Sequence, residues 1–169
     1  MKVIRIDENI YEFQSFLNKH ELNSIKEHLA GLKEHNWIES KDNWNRRKTP
    51  LSGYPVDQIN KRIESIFIDG QLDGFELALR YLTGDRMSPH RDEEGYRTIN
   101  WGAVIYLNND YLGGEIYYPQ LDIVHKPEPG SMILHAGNIE HGVYKVEEGI
   151  KYIMTNFIHN GYIDPNILN

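Results

Sequence analysis

At 169 residues, 40% of them hydrophobic and 25% charged, the chain is sized for one domain with a real core and little besides. The absence of cysteine excludes disulfides and thiolate metal sites, so any metal site must use His, Asp and Glu, which favours iron, manganese or zinc. A net charge of −7 speaks against nucleic acid as a partner, because phosphate affinity draws on a basic face and Asn45-Arg46-Arg47-Lys48 is too short to provide one.

No stretch approaches the roughly 18 apolar residues that cross a bilayer. The opening Met1-Lys2-Val3-Ile4-Arg5-Ile6-Asp7 has an early acid and no apolar run, so it does not read as a secretory signal. A cytoplasmic protein is expected.

In chain order, the first clear element is a helix from Asn18 to about Lys33. Leu22, Ile25, Leu29 and Leu32 fall on one stripe at helical spacing, and Asn18 with Glu21 forms a capping pair. A second helix is expected from about Pro55 through Val56, Ile59, Ile63 and Ile66 to a stop near Gly70. Between them, Ser40 to Gly53 is polar and basic, with Trp44 and Tyr54 near its ends, and reads as a loop.

After Gly74 the pattern changes to short runs rich in β-branched and aromatic residues: Phe75–Leu82, Thr98–Leu107, Glu115–Tyr118, Ile123–Lys126, Ser131–His135, Val143–Val146 and Lys151–Ile158. Turn signals such as Asn108-Asn109-Asp110, Gly113-Gly114 and Pro127-Glu128-Pro129-Gly130 separate them. Many short strands with no helix between them predict an antiparallel sandwich or barrel. The expected fold is therefore α+β, one domain over 1–169. Supporting helices occupy about 1–74, and a jelly-roll core occupies about 75–160.

Chemistry concentrates in three places. His90-Arg91-Asp92 puts two ligand side chains on the same side of an extended segment, about 6.6 Å apart along the chain. His141-Gly142 follows an apolar strand and a polar turn. Two His and one carboxylate leave coordination positions open on iron, although zinc hydrolases use a similar set and the triad alone does not choose the metal. Lys151 begins an apolar strand. It either faces solvent or points inward, and an inward ammonium needs an anion, because burying it unpaired is costly. His135, at the end of an apolar strand, is the rival for the third ligand and reads better as a packed or hydrogen-bonded wall residue.

His90-x-Asp92, Tyr106-Leu107-Asn108, Gly113-Gly114-Glu115, Pro119, Pro129-Gly130-Ser131, His141-Gly142-Val143 and Gly149-Ile150-Lys151-Tyr152 occur in the order and spacing of the prolyl 4-hydroxylase-like 2-oxoglutarate oxygenases, and the chain resembles that family from about Phe75 to Ile158. Phe16-Leu17-Asn18-Lys19-His20-Glu21 also resembles the family's opening into its first helix. The resemblance implies a double-stranded β-helix (jelly roll) core. It implies Fe(II) held by His90, Asp92 and His141, and 2-oxoglutarate bound through its C5 carboxylate by Lys151 and the Tyr81 hydroxyl, with ascorbate as an accessory reductant.

The chain departs from the pattern at four places. Ile116 stands where the family often has Thr, Met87 where it often has Tyr, and Phe157 where Trp is common. The substrate-binding Arg has no residue in register, although Arg97 is close. These leave the expected iron site intact and weaken proline as the substrate.

The expected function is hydroxylation of a peptidyl proline or related substrate with release of succinate and CO2. The alternatives are a free amino acid or other small molecule as substrate, or a jelly-roll binding module without turnover. A protein, peptide or small-molecule partner is expected, and no membrane. Segments 40–54 and 93–100 are candidate lid loops.

Overall fold

The computed structural model describes residues 1–39, 47–74, 76–93 and 99–168. Helix α1 spans Lys19–Gly31 and is closed by the expected reciprocal cap: Glu21 N donates to Asn18 Oδ1 at 3.0 Å, and Asn18 N donates to Glu21 Oε2 at 2.9 Å. Its stripe buries Ile25 and Leu29. Helix α2, Val56–Glu64, buries Val56, Ile59 and Ile63. Arg62 donates to both carboxylate oxygens of Glu21 and ties the two helices together.

Helix α2 stops well short of Gly70. The next residues, Phe67–Ile68, pair as a short strand with Tyr162–Ile163 instead. An apolar Ile-Phe-Ile run carries no period that separates the end of a helix from a buried strand.

Two sheets face each other. The larger runs, in spatial order, Lys2–Asp7, Ile10–Gln14, Met132–Ala136, Trp101–Tyr106, Lys151–His159, Leu77–Tyr81, Arg47–Pro50 and Ile38–Glu39. The smaller runs Ile123–His125, Ile116–Tyr118, His141–Val143 and Met87–His90. From Met87 onward the chain passes back and forth between the sheets, with Ile116–Tyr118 and Ile123–His125 as a hairpin in the smaller one, and every pairing is antiparallel. This is a double-stranded β-helix.

Alternation along each strand sorts the core into two. On Lys151–His159, Met154 and Ile158 face the helices with Phe13, Ala103, Ile105 and Met132. Ile153 faces between the sheets with Leu79, Tyr106, Ile116, Ile133 and Val143. The helices cover the outer face of the large sheet and leave the space between the sheets for the site.

The first 74 residues are not helical support alone. The hairpin Lys2–Asp7/Ile10–Gln14 extends the large sheet, and Arg47–Pro50 and Ile38–Glu39 close its other edge. Ile10, Tyr11, Glu12 and Phe13 are all buried, so this strand lacks the alternation that marks one. Met87–His90 was equally hidden, because Pro89 argues against a strand except at an edge, which is where it lies. Phe75, Trp44, Arg97 and Thr98, with parts of both candidate lid segments, fall outside the described residues.

Candidate active site

His90 ends one strand of the small sheet, and His141, which begins the neighbouring strand, is its register partner. Asp92 follows His90 at the start of a turn. Each of the three offers a ligand atom, and these atoms all lie within 4.8 Å of one another. Asp92 Oδ1 is 3.6 Å from His90 Nε2 and 3.8 Å from His141 Nε2.

Local backbone sets the imidazoles. His90 Nδ1 lies 3.1 Å from Ser88 O, and His141 Nδ1 lies 3.1 Å from Ile139 O. A carbonyl only accepts, so each Nδ1 carries the proton and each Nε2 presents its lone pair to the centre. Burial pushes the His141 imidazole down to about 3, with His135 adding to the effect, so it stays neutral. Burial alone would raise the Asp92 carboxyl, but the hydrogen bond from His135 and the neighbouring imidazoles outweigh it and hold the group well below the usual carboxylate range. Two imidazoles that each turn Nε2 to the centre and one carboxylate, with no thiolate, fit a divalent first-row metal.

His135 lies beside this group but outside it. Its ring is fully buried, with Nε2 3.1 Å from Asp92 Oδ2 and Nδ1 3.2 Å from the Tyr118 hydroxyl. It is buried and hydrogen-bonded on both ring nitrogens. Tyr118 as its partner gave no signal in the sequence.

Lys151 points inward. Its side chain is fully buried, and its one hydrogen bond among the described residues is to Gly114 O at 2.7 Å. The rings of Tyr106 and Tyr81 lie 5.2 and 5.4 Å from Nζ. Desolvation drives the ammonium down to about 7, with nearby Glu115 acting against the shift. Gly113 and Gly114, at φ +70° and +68°, make the turn that delivers the accepting carbonyl.

Lys151 and the His-Asp-His group share one cavity of about 600 Å³ including its open mouth, lined among others by Leu77, Leu79, Tyr106, Ile116 and Phe157. An under-compensated buried cation at one place and a metal-type donor set at another fit a chelating dicarboxylate between them. Tyr81 is the register partner of Lys151 and is buried, but its hydroxyl lies 3.7 Å from Met87 Sδ. It is Tyr106, from the central Trp101–Tyr106 strand, that lines the cavity. Three of the four departures, Ile116, Phe157 and Met87, line the cavity.

Residues 77–159, a segment that holds every residue of the site, match the model of the 2OG-Fe(II) oxygenase superfamily. That superfamily implies Fe(II) and 2-oxoglutarate, and the match supports a dioxygenase.

More particularly, its fold is that of solved prolyl hydroxylases. It is similar to the viral collagen prolyl hydroxylase of Paramecium Bursaria Chlorella virus-1 in its 2-oxoglutarate complex (TM-score 0.70, 18% identity, covering 89% of this chain and 96% of that one). It is similar to a Pseudomonas putida prolyl-4-hydroxylase (TM-score 0.69, 14% identity, 90% and 92% covered). A Trichoplax adhaerens prolyl hydroxylase, solved with a hypoxia inducible factor peptide fragment, is also similar (TM-score 0.64, 12% identity, 95% and 86% covered). No curated protein matches the sequence.

Proposed function

We propose that residues 1–169 form one Fe(II)- and 2-oxoglutarate-dependent hydroxylase domain acting on a peptidyl proline or a related residue. In this reading His90, Asp92 and His141 hold iron, and Lys151 binds the C5 carboxylate of 2-oxoglutarate. The observation that carries it is the fully buried Lys151 ammonium in the same cavity as the His-Asp-His group. A buried ammonium with a single backbone acceptor is costly unless an anion joins it.

Iron bound there supplies the oxidising chemistry, in which O2 and 2-oxoglutarate convert a substrate C–H to C–OH with release of succinate and CO2. The chain's own residues supply the rest. Nδ1–H bonds to Ser88 O and Ile139 O hold both imidazoles in the metal-binding tautomer. Leu79, Ile116 and Ile153 exclude water around the site.

The cavity's walls favour a peptidyl residue over a free amino acid. Leu77, Val104 and Phe157 are apolar, and among the described lining residues there is no arginine and no lysine besides Lys151. A free amino acid would bring a carboxylate that no cation among the described lining residues other than Lys151 meets, whereas a proline ring within a peptide brings none.

The test is succinate release from 2-oxoglutarate with Fe(II), ascorbate and O2, run with proline-containing peptides and with free amino acids. A peptide-dependent rise together with a one-oxygen mass gain on proline is the expected result. A rise only with small molecules would move the substrate class, and no succinate under any condition would leave a non-catalytic binding module.

A further inference from the structure

Asp92 makes contacts in two directions. Oδ1 faces His90 Nε2 and His141 Nε2, at 3.6 and 3.8 Å, while Oδ2 faces away toward His135 Nε2 at 3.1 Å. Behind His135, the Tyr118 hydroxyl lies 3.2 Å from Nδ1. The carboxylate only accepts, so His135 Nε2 carries the proton. In the neutral ring Nδ1 is then an acceptor, and Tyr118 donates to it. Tyr118 and His135 are fully buried, so water does not compete for the bond between them.

The neighbouring backbone is shaped around the same link. Gly102 lies on the central strand as the register partner of His135, and a Cβ there would collide with Asp92 Oδ2 and come within 2.8 Å of His135 Nε2. Only glycine leaves room for this hydrogen bond to lie flat against the sheet.

We infer that His135, fixed by Tyr118 and accommodated by Gly102, is a positioning residue that holds one oxygen of Asp92 and so presents the other alone to the metal. The inference rests on the reading of His90, Asp92 and His141 as ligands. Its consequence is an open coordination site: an Asp92 that could swing both oxygens inward would fill a position the cosubstrate needs. His135 acts through Asp92 and touches neither metal nor substrate.

The test is direct titration with Mn(II), reading free ion by its electron paramagnetic resonance signal, so that binding is measured without turnover. His135→Phe keeps the ring and removes the donor, and should weaken Mn(II) binding about 10- to 100-fold, the usual cost of losing such a partner. His135→Gln restores an N–H to Asp92 and should recover most of the loss. Gly102→Ala should weaken binding like His135→Phe, and Tyr118→Phe by less. Metal-free thermal unfolding identifies any variant that fails to fold, and Tyr118→Phe, which loses one oxygen atom, keeps the test available.

Mn(II) affinity unchanged in His135→Phe and Gly102→Ala would overturn the inference. Loss in both His135 variants as complete as in His141→Ala would also overturn it, because His135 would then be a ligand itself. Wild-type protein that takes up no Mn(II), or takes it up equally well as His141→Ala, overturns the ligand reading underneath and the inference with it.

Discussion

His90 and His141 face each other across adjacent antiparallel strands with their ring centroids 4.4 Å apart, and each sends its Nδ1 to the carbonyl two residues earlier in its own chain segment. The two imidazoles are thus oriented by local backbone before any metal arrives. Asp92 comes from the turn beyond His90, so the third donor depends on a different set of contacts.

That division predicts separable effects. Asp92→Ala or His141→Ala should lower metal-dependent succinate formation by more than about 100-fold, beyond the loss expected from an outer partner alone. Circular dichroism should still show the folded sheet, because neither side chain belongs to the two apolar cores. Near-normal turnover in either variant would remove that residue from the ligand set.

Lys151→Met keeps most of the side-chain volume and removes the ammonium. Losing a charge-assisted hydrogen bond costs about 1.5–3 kcal/mol, so the 2-oxoglutarate requirement should rise roughly 10- to 150-fold. The measurement is KM for 2-oxoglutarate at saturating metal. An unchanged KM would place the cosubstrate away from Lys151.

With Lys151 as the proposed cosubstrate ligand, 2-oxoglutarate binding should depend on pH. Desolvation holds its ammonium at about 7 in the free protein, against an ordinary 10.5. A bound dicarboxylate favours the charged form, so binding takes up a proton above about pH 7, and affinity should fall as pH rises from there. Calorimetry of 2-oxoglutarate binding at pH 8, in buffers of different ionisation enthalpy, should report this uptake, and Lys151→Met should abolish it.

Stability follows the opposite course. Between about 7 and 10.5 the unfolded chain binds the Lys151 proton more tightly than the folded one, so this residue's contribution rises with pH across that window. Below pH 7 the penalty of the buried charge is present in full. Lys151→Met should therefore melt at a higher temperature than wild type at pH 6.5, and the advantage should shrink toward pH 10.

Gly114 holds φ at +68°, and a Cβ there would come within 3.1 Å of both Tyr111 and Val146. Gly114→Ala should cost about 1–3 kcal/mol in urea unfolding. It should also raise KM for 2-oxoglutarate, since the turn it strains carries the carbonyl that Lys151 grips. A loss of stability with no change in KM would mean that the carbonyl keeps its place.

What the sequence determined by itself was local in character. The stripe and cap of α1 are legible because their partners are three or four residues apart, and they appear in the structure as read. Most of the strand run after Gly74 is legible for the same reason, as are the spacings of His90, Asp92 and His141.

Tertiary structure decided the rest. Whether Lys151 faces solvent or cavity depends on which side of its strand is covered, and a period of two does not say. The buried strand Ile10–Gln14 lacks alternation because both of its faces meet other elements. Tyr106 rather than Tyr81 lines the cavity, and His135 meets Asp92, Gly102 and Tyr118, through register between segments far apart in the chain. Cross-strand neighbours are fixed by how the sheets close, and that information is spread over the whole fold rather than carried by any one motif.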